Sequence, residues 1–353
     1  MIFFVLVLLL IIFSSAKAQK AGAFNADYIS RDKTNNIKGI FVILILLSHA
    51  KSYLELGGAY DEPYIAMQNH LNQMVVAMFL FYSGFGIMEQ IKKREFTYIK
   101  SIPLKRFPNL LINFDIAVIL YFILNFAIGN KLELKNALLA LIGWVGVLNS
   151  SWYIFVTFVL YILTFISFFA IKWIKNRKAQ FVYLIILTAL TAAFVFVMLK
   201  YSNKERFWYN TALLYVLGFW YSYFKDVIEK VLMKNDGIFF TAFALLLTVY
   251  LFTYLHRWDR LLIYTVWACC FTIGVVMLTM KFDIESNILK WFGEHIFSIY
   301  ILQRIPMVIL VQLGIADRHK YIFVILSIAA TIPLAITFDY LTGKLSKLIW
   351  KKA

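Results

Sequence analysis

The chain reads as an all-α membrane protein, a polytopic bundle of about ten core transmembrane helices preceded by a separate apolar segment. Three observations point there. Apolar residues make up 62% of the 353 and charged residues only 15%, whereas a soluble domain is nearer half and a quarter. Apolar runs long enough to cross a bilayer recur along the whole sequence. Between them the lysines and arginines concentrate in alternate short loops, as the positive-inside rule requires. In hydrocarbon each backbone amide must be satisfied within its own segment, so the runs are helices. The short alternating strands of a lipid-facing barrel are absent from the sequence.

The net charge of +16 would suggest nucleic acid in a soluble protein. Here it is explained by loop topology, so the expected partner is the lipid bilayer and not nucleic acid. Cys269 and Cys270 are the only cysteines. Adjacent in an apolar run, they offer no disulfide framework and no metal-ligand spacing. Neither a metal nor a permanently bound cofactor is expected.

The first run, Met1 to Ala16, is short and ends near Ala16-Lys17-Ala18, which resembles a cleavage site, yet it lacks a positive n-region. Residues 1–18 are therefore either an extra helix or a signal-like leader. Lys17, Lys20, Arg31, Lys33 and Lys38 then form a basic stretch, assigned to the cytoplasm. The chain crosses outward through Gly39 to Leu54, returns through His70 to Met88, and meets the densest basic loop, Lys92 to Arg106. Leu110 to Ile128 goes out. Ala137 to Leu148 is too short to span and suits a re-entrant or interfacial segment. With it excluded, Trp152 to Ile171 runs inward and Lys172, Lys175, Arg177 and Lys178 lie inside. The remaining spans are Phe181–Leu199, Trp208–Phe224, Ile238–Leu255, Leu261–Met280, Trp291–Leu313 and Tyr321–Leu341. Every strongly basic loop, and the tail at 345–353, then falls on the cytoplasmic side, as does the start of the core. No internal repeat of the kind many transporters show is visible.

Ionisable groups inside a span are costly and mark functional sites. His49 ends an otherwise apolar run, Ile40 to Ser48. Lys38 stands eleven positions earlier, about three helical turns or about 16 Å along the axis, so both point the same way. One face thus presents a cation at the rim and an imidazole deep in the membrane. Neutral imidazole is a proton acceptor near neutral pH. The plain alternative is a structural histidine bonded to a neighbouring helix. Asp115 and Asp339 lie inside spans and read first as structural hydrogen-bonding groups. Trp152 and Tyr153 read as an interfacial aromatic pair, or as a sugar-stacking surface. His70 and Gln73 stand on the outer side, where they border an acceptor site or the headgroups.

The Lys38-to-His49 spacing resembles the basic-residue, ten residues, histidine motif of the acyltransferase 3 family of membrane acyltransferases, with Lys38 in place of the usual arginine. Other pieces follow in order. Phe79-Leu80-Phe81-Tyr82-Ser83-Gly84-Phe85 looks like the family's S-G-F segment. Lys105-Arg106-Phe107-Pro108 looks like its basic motif ending in proline. Ser151-Trp152-Tyr153-Ile154 looks like its S-x-W helix start. Gly293 through Ser298-Ile299-Tyr300-Ile301-Leu302 looks like its late segment, with Gln303 where the family has a second histidine. The resemblance runs from Arg31 to Lys344, and the acyltransferase domain is set at 31–344.

The resemblance implies an enzyme, an O-acyltransferase of the cell membrane. It implies transfer of an acetyl group from acetyl-CoA to a hydroxyl of an extracytoplasmic polysaccharide or glycolipid of the cell envelope. His49 is then base or acyl carrier, and Lys38 is counted with it among the catalytic residues. Lys38, Arg94, Lys105 and Arg106 are the expected donor-phosphate ligands, and Ser83, Trp152 and Tyr153 the expected substrate contacts. The rival reading from another class is a transporter or flippase for a lipid-linked sugar or anion.

Overall fold

Each apolar run becomes helix. A computed structural model describes residues 1–71, 73–170 and 177–350. Ile171, Lys172 and Lys175, together with the last three residues of the tail, lie outside the described residues. The core begins with α2 (Arg31–Lys51), the short α3 (Glu62–Leu71), α4 (Met74–Ser101) and α5 (Phe107–Ala127); an N-terminal α1 (Ile2–Ser15) precedes them. The short α6 (Leu134–Leu141) follows, then α7 (Trp152–Ala170), α8 (Arg177–Tyr201), α9 (Leu213–Leu232), α10 (Asp236–Leu255) and α11 (Leu261–Lys281). A broken run, α12 (Asn287–Glu294), α13 (Ile296–Leu302) and α14 (Arg304–Gln312), leads through the one-turn α15 (Ile315–Arg318) to α16 (Lys320–Trp350).

By length and hydropathy, six helical stretches among the described residues are able to cross a bilayer, and a pair bent by 68° at residues 287–312 makes a seventh. One of the six, Glu62–Ala127, holds two expected spans, α4 and α5, joined by a π-turn at Ile102–Arg106. α2 and α9 occupy the other two expected positions, and their charged ends dilute their hydropathy. The segment after α5 does not span: α6 is eight residues long and is followed by irregular chain. Trp208 belongs to a single 3-10 turn, and α9 starts only at Leu213, after the polar Asn210 and Thr211.

Two helix pairs make the closest approaches. A Cβ on Gly84 of α4 would lie 1.9 Å from the carbonyl oxygen of Tyr215 in α9, and one on Gly218 would lie 2.1 Å from that of Phe81. Likewise a Cβ on Gly39 of α2 would meet the Leu289 carbonyl oxygen of α12 at 1.9 Å, and one on Gly293 that of Asn35 at 1.9 Å. Helices in lipid gain no hydrophobic drive from pairing, so close backbone packing through small residues holds them together.

The basic loops gather at one end. There β1 (Ala16–Ala18) pairs antiparallel with β2 (Phe282–Ile284), with Lys17 opposite Asp283. Lys33 bridges Asp283 at 2.5 Å and Glu285 at 2.7 Å, and Lys281 pairs with Asp236. At the opposite end the buried carboxylate of Asp61 takes the Met1 amine and Lys320, each at 2.6 Å. Between the two ends α1 lies along the bundle, its Phe4, Leu8 and Ile11 sharing an apolar groove with Ile43, Leu47 and Phe292.

Candidate active site

Lys38 faces a cavity of about 670 Å³ that opens at the basic end. Arg31, Thr34 and Lys38 of α2 line it with Phe79, Tyr82, Ser83, Glu89 and Lys93 of α4, Arg106 of the π-turn and Tyr153 of α7. On α4 the lining runs from Lys93 up to Phe79, about 21 Å of helix, so the cavity reaches deep into the bundle. Its charges differ in how they are used. Glu89 accepts from Ser222 at 2.6 Å and pairs with Lys92 at 3.0 Å. Lys225 pairs with Glu229 at 2.6 Å. Arg106 donates to the Tyr98 hydroxyl and lies over the rings of Tyr98 and Tyr161. Lys38 has only the Asn35 amide oxygen at 3.5 Å and the Tyr82 ring at 5.6 Å, and no carboxylate pairs with it among the described residues. An unpaired ammonium inside a bundle is a site for an anion.

At the deep end the cavity is bounded by Tyr153. The Tyr153 ring meets Tyr300 of α13 edge-on at 5.5 Å, and Tyr300 lies 6.1 Å from the His49 ring. His49 therefore sits beyond the cavity, behind a layer of two tyrosines. Its Nε2 is 3.2 Å from the Ser150 hydroxyl, and its Nδ1 is buried without a partner. The Tyr300 hydroxyl donates to the Ser150 carbonyl at 2.9 Å. Arg304, at the start of α14, is within electrostatic reach of His49 and Tyr300, and its Nε is likewise buried and unpartnered. An imidazole with one engaged and one open nitrogen is able to take a proton from a hydroxyl brought against it.

The loop that delivers Ser150 is irregular, and its end, Val147 and Asn149 to Ser151, is buried; such backbone is tolerated at membrane depth only where it is enclosed or lines a cavity. Gly143 and Leu148 both have positive φ, 77° and 74°. The non-glycine Leu148 stores about 1–3 kcal/mol of strain there. The Val147 N–H donates to the Asn149 side chain at 3.0 Å, and the Asn125 amide donates to the Val147 carbonyl at 3.3 Å.

The residues expected from sequence are partly gathered and partly separated. Lys38, Ser83, Arg106 and Tyr153 share the cavity. Arg94 and Lys105 do not: they line a second, more open basin of about 840 Å³ with Lys100, Ser101 and Arg106. The cause is the backbone, since α4 kinks at Glu95, where φ is 47°, and the π-turn redirects the chain again before α5. Arg106 touches both spaces. Tyr153 is a cavity wall and not an interfacial anchor, while Trp152 beside it packs on Phe207 at 5.4 Å. Asp339 bonds His295 at 2.5 Å and Ser298 at 2.8 Å, tying α13 to α16. Asp115 keeps one buried oxygen without a partner. His70 bonds the Tyr250 hydroxyl at 2.5 Å. Sequence reading missed Ser150 and gave Tyr300 no role. One signal was available: S-x-W spacing counted back from Trp152 lands on Ser150, not Ser151.

A family model described as an acyltransferase domain matches residues 32–340. The chain belongs to the acyltransferase 3 family. It is thus a membrane acyltransferase, with the bilayer around it and an acyl donor and an acceptor as its substrates. No curated protein and no solved structure matches the chain. Where the family has its second histidine, this acyltransferase carries Gln303, fully buried, whose amide donates to the Tyr300 carbonyl at 3.1 Å and so stabilises the break between α13 and α14.

Proposed function

We propose that this acyltransferase moves an acetyl group from acetyl-CoA to a hydroxyl of an extracytoplasmic polysaccharide or glycolipid of the cell envelope, with His49 as the base. One observation carries the reading: a deep cavity opens at the basic end, holds the unpaired Lys38, and stops at Tyr153, two rings from His49. The basic end faces the cytoplasm under the positive-inside rule, which is where CoA thioesters are available.

The donor is long and bears its anionic groups at one end. Its phosphates lie in the outer basin, among Arg94, Lys105 and Arg106. Arginine there offers paired N–H donors to a phosphate. The flexible arm passes Arg106 into the cavity and along Ser83, and Lys38 meets a remaining anionic or carbonyl oxygen. The thioester thereby comes up to the tyrosine layer. The acceptor hydroxyl arrives from the opposite end. His49 removes its proton as the oxygen attacks the thioester carbonyl. The tetrahedral intermediate collapses with loss of the CoA thiolate, which takes the proton back from the imidazolium. At the inner end the packed rings of Tyr153 and Tyr300 leave little room for water beside the thioester, which limits hydrolysis of the donor.

His49→Ala tests the reading in cells. The variant accumulates in the membrane at normal level, and envelope-glycan O-acetyl esters, measured by NMR, fall by a factor of about 100 or more. Unchanged O-acetylation would refute the assignment.

A further inference from the structure

We infer that Tyr153 and Tyr300 limit the acyl chain this enzyme transfers to two carbons. The inference rests on the reading above and concerns the layer between the cavity and His49. For the reaction the thioester carbonyl must come within about 3–3.5 Å of the attacking hydroxyl, itself bonded to His49. The acyl tail beyond that carbonyl then has to occupy the space around Tyr153, Tyr300 and the Ser150 loop.

That space is fixed. Tyr300 is held at both ends: its helix starts at Ile296 beside the cavity, and its hydroxyl donates to the Ser150 carbonyl at 2.9 Å. The Ser150 loop is itself held through Asn149 and Asn125. Tyr153 stands in the first turn of α7 with its ring edge-on to Tyr300 at 5.5 Å and to Trp152 at 6.0 Å. Each ring is held by packed contacts, so the small shift that admits an acetyl carbonyl leaves added methylenes against the rings. In rigid apolar sites one methylene changes the specificity constant by about 10–200-fold. Of the two rings, Tyr153 is the one to remove. The hydroxyl of Tyr300 supports the site by donating to the Ser150 carbonyl, whereas that of Tyr153 reaches only Thr157 of its own helix.

The test compares acetyl-, propionyl- and butyryl-CoA as donors, read as CoA thiol release by permeabilised native membranes containing the full chain and its own acceptor. Release by His49→Ala membranes is subtracted. Wild type is expected to favour acetyl- over butyryl-CoA in kcat/KM by about tenfold or more. Tyr153→Ala is expected to shrink that ratio at least tenfold, mainly by raising use of butyryl-CoA, and Tyr153→Phe to keep the wild-type ratio. If Tyr153→Ala does not accumulate, Tyr153→Leu replaces it with the same expected direction. An unchanged ratio in a variant still active with acetyl-CoA would overturn the inference and leave the proposed function standing, as would a wild type that uses butyryl-CoA equally well. Wild-type membranes that release no His49-dependent thiol from any donor would overturn both.

Discussion

Among the described residues no carboxylate pairs with Lys38, and that shapes what it is expected to do. Its ammonium faces the cavity with only an amide oxygen and a tyrosine ring nearby. Replacing it with glutamine removes one contact to an anionic donor, so Lys38→Gln is expected to raise the KM for acetyl-CoA about tenfold while kcat changes little. Steady-state kinetics on wild-type and variant membranes check this, and an unchanged KM removes Lys38 from the donor site. The pairing of Lys38 with His49 was readable in the sequence because a helix converts an eleven-residue interval into a shared face. The contact of Ser150 with His49 was not, because it spans 101 residues and its segment has no period to read; S-x-W spacing marks the residue but not its partner. The same holds for Tyr300, whose hydroxyl meets the Ser150 carbonyl across 150 residues.

At the scale of elements, the motif glycines have a packing role. Gly84 of the S-G-F segment and Gly293 of the late segment let helix backbones touch, α4 on α9 and α2 on α12. These are the helices that carry Ser83 and Lys38, so the contacts fix the cavity walls. A methyl group at either glycine has nowhere to go, since the obstructing atoms are backbone. Gly84→Ala and Gly293→Ala are each expected to cost about 1–3 kcal/mol. A thermal-shift measurement in detergent reads this as a lower Tm. Gly343→Ala in α16, where nothing lies within 4 Å, serves as the contrast and is expected to leave Tm unchanged or higher. Sequence showed where helices run because apolar length suffices for that. It did not show the 68° break in the run at 287–312, where an apolar stretch of spanning length conceals the bend. Nor did it show the kink at Glu95 that sends Arg94 and Lys105 to a separate basin.

Across the whole molecule the two ends differ in chemistry. The basic end gathers the loops that charge counting assigned to the cytoplasm. Single cysteines at Leu104, exposed near that end, and at Tyr60, exposed near the other, are expected to react with an impermeant thiol reagent from opposite sides of sealed cells, Tyr60→Cys from outside only. Labelling of Leu104→Cys from outside would invert the topology. The opposite end is closed by Asp61. Burial pushes its carboxyl up, but Lys320, the Met1 amine and the Gly57 N–H hold it down, to about 2 from an ordinary 3.8. Because the folded value is the lower one, its contribution to stability is present above about pH 4 and is lost as the pH falls towards 2. Asp61→Asn is therefore expected to lower the Tm at pH 7 and to flatten the loss of Tm between pH 4 and pH 2. A variant with the wild-type acid profile would assign that loss to other groups.

The central claim is that the acyl group travels from CoA at the basic end to a glycan hydroxyl under the control of His49. Native membranes given acetyl-CoA labelled with carbon-13 in the acetyl group test it most directly, with the label followed into the envelope glycan by NMR. The expected result is an O-acetyl ester signal in wild-type membranes and its loss in His49→Ala membranes holding the same amount of protein. Equal labelling in both, or none in the wild type, would contradict the account.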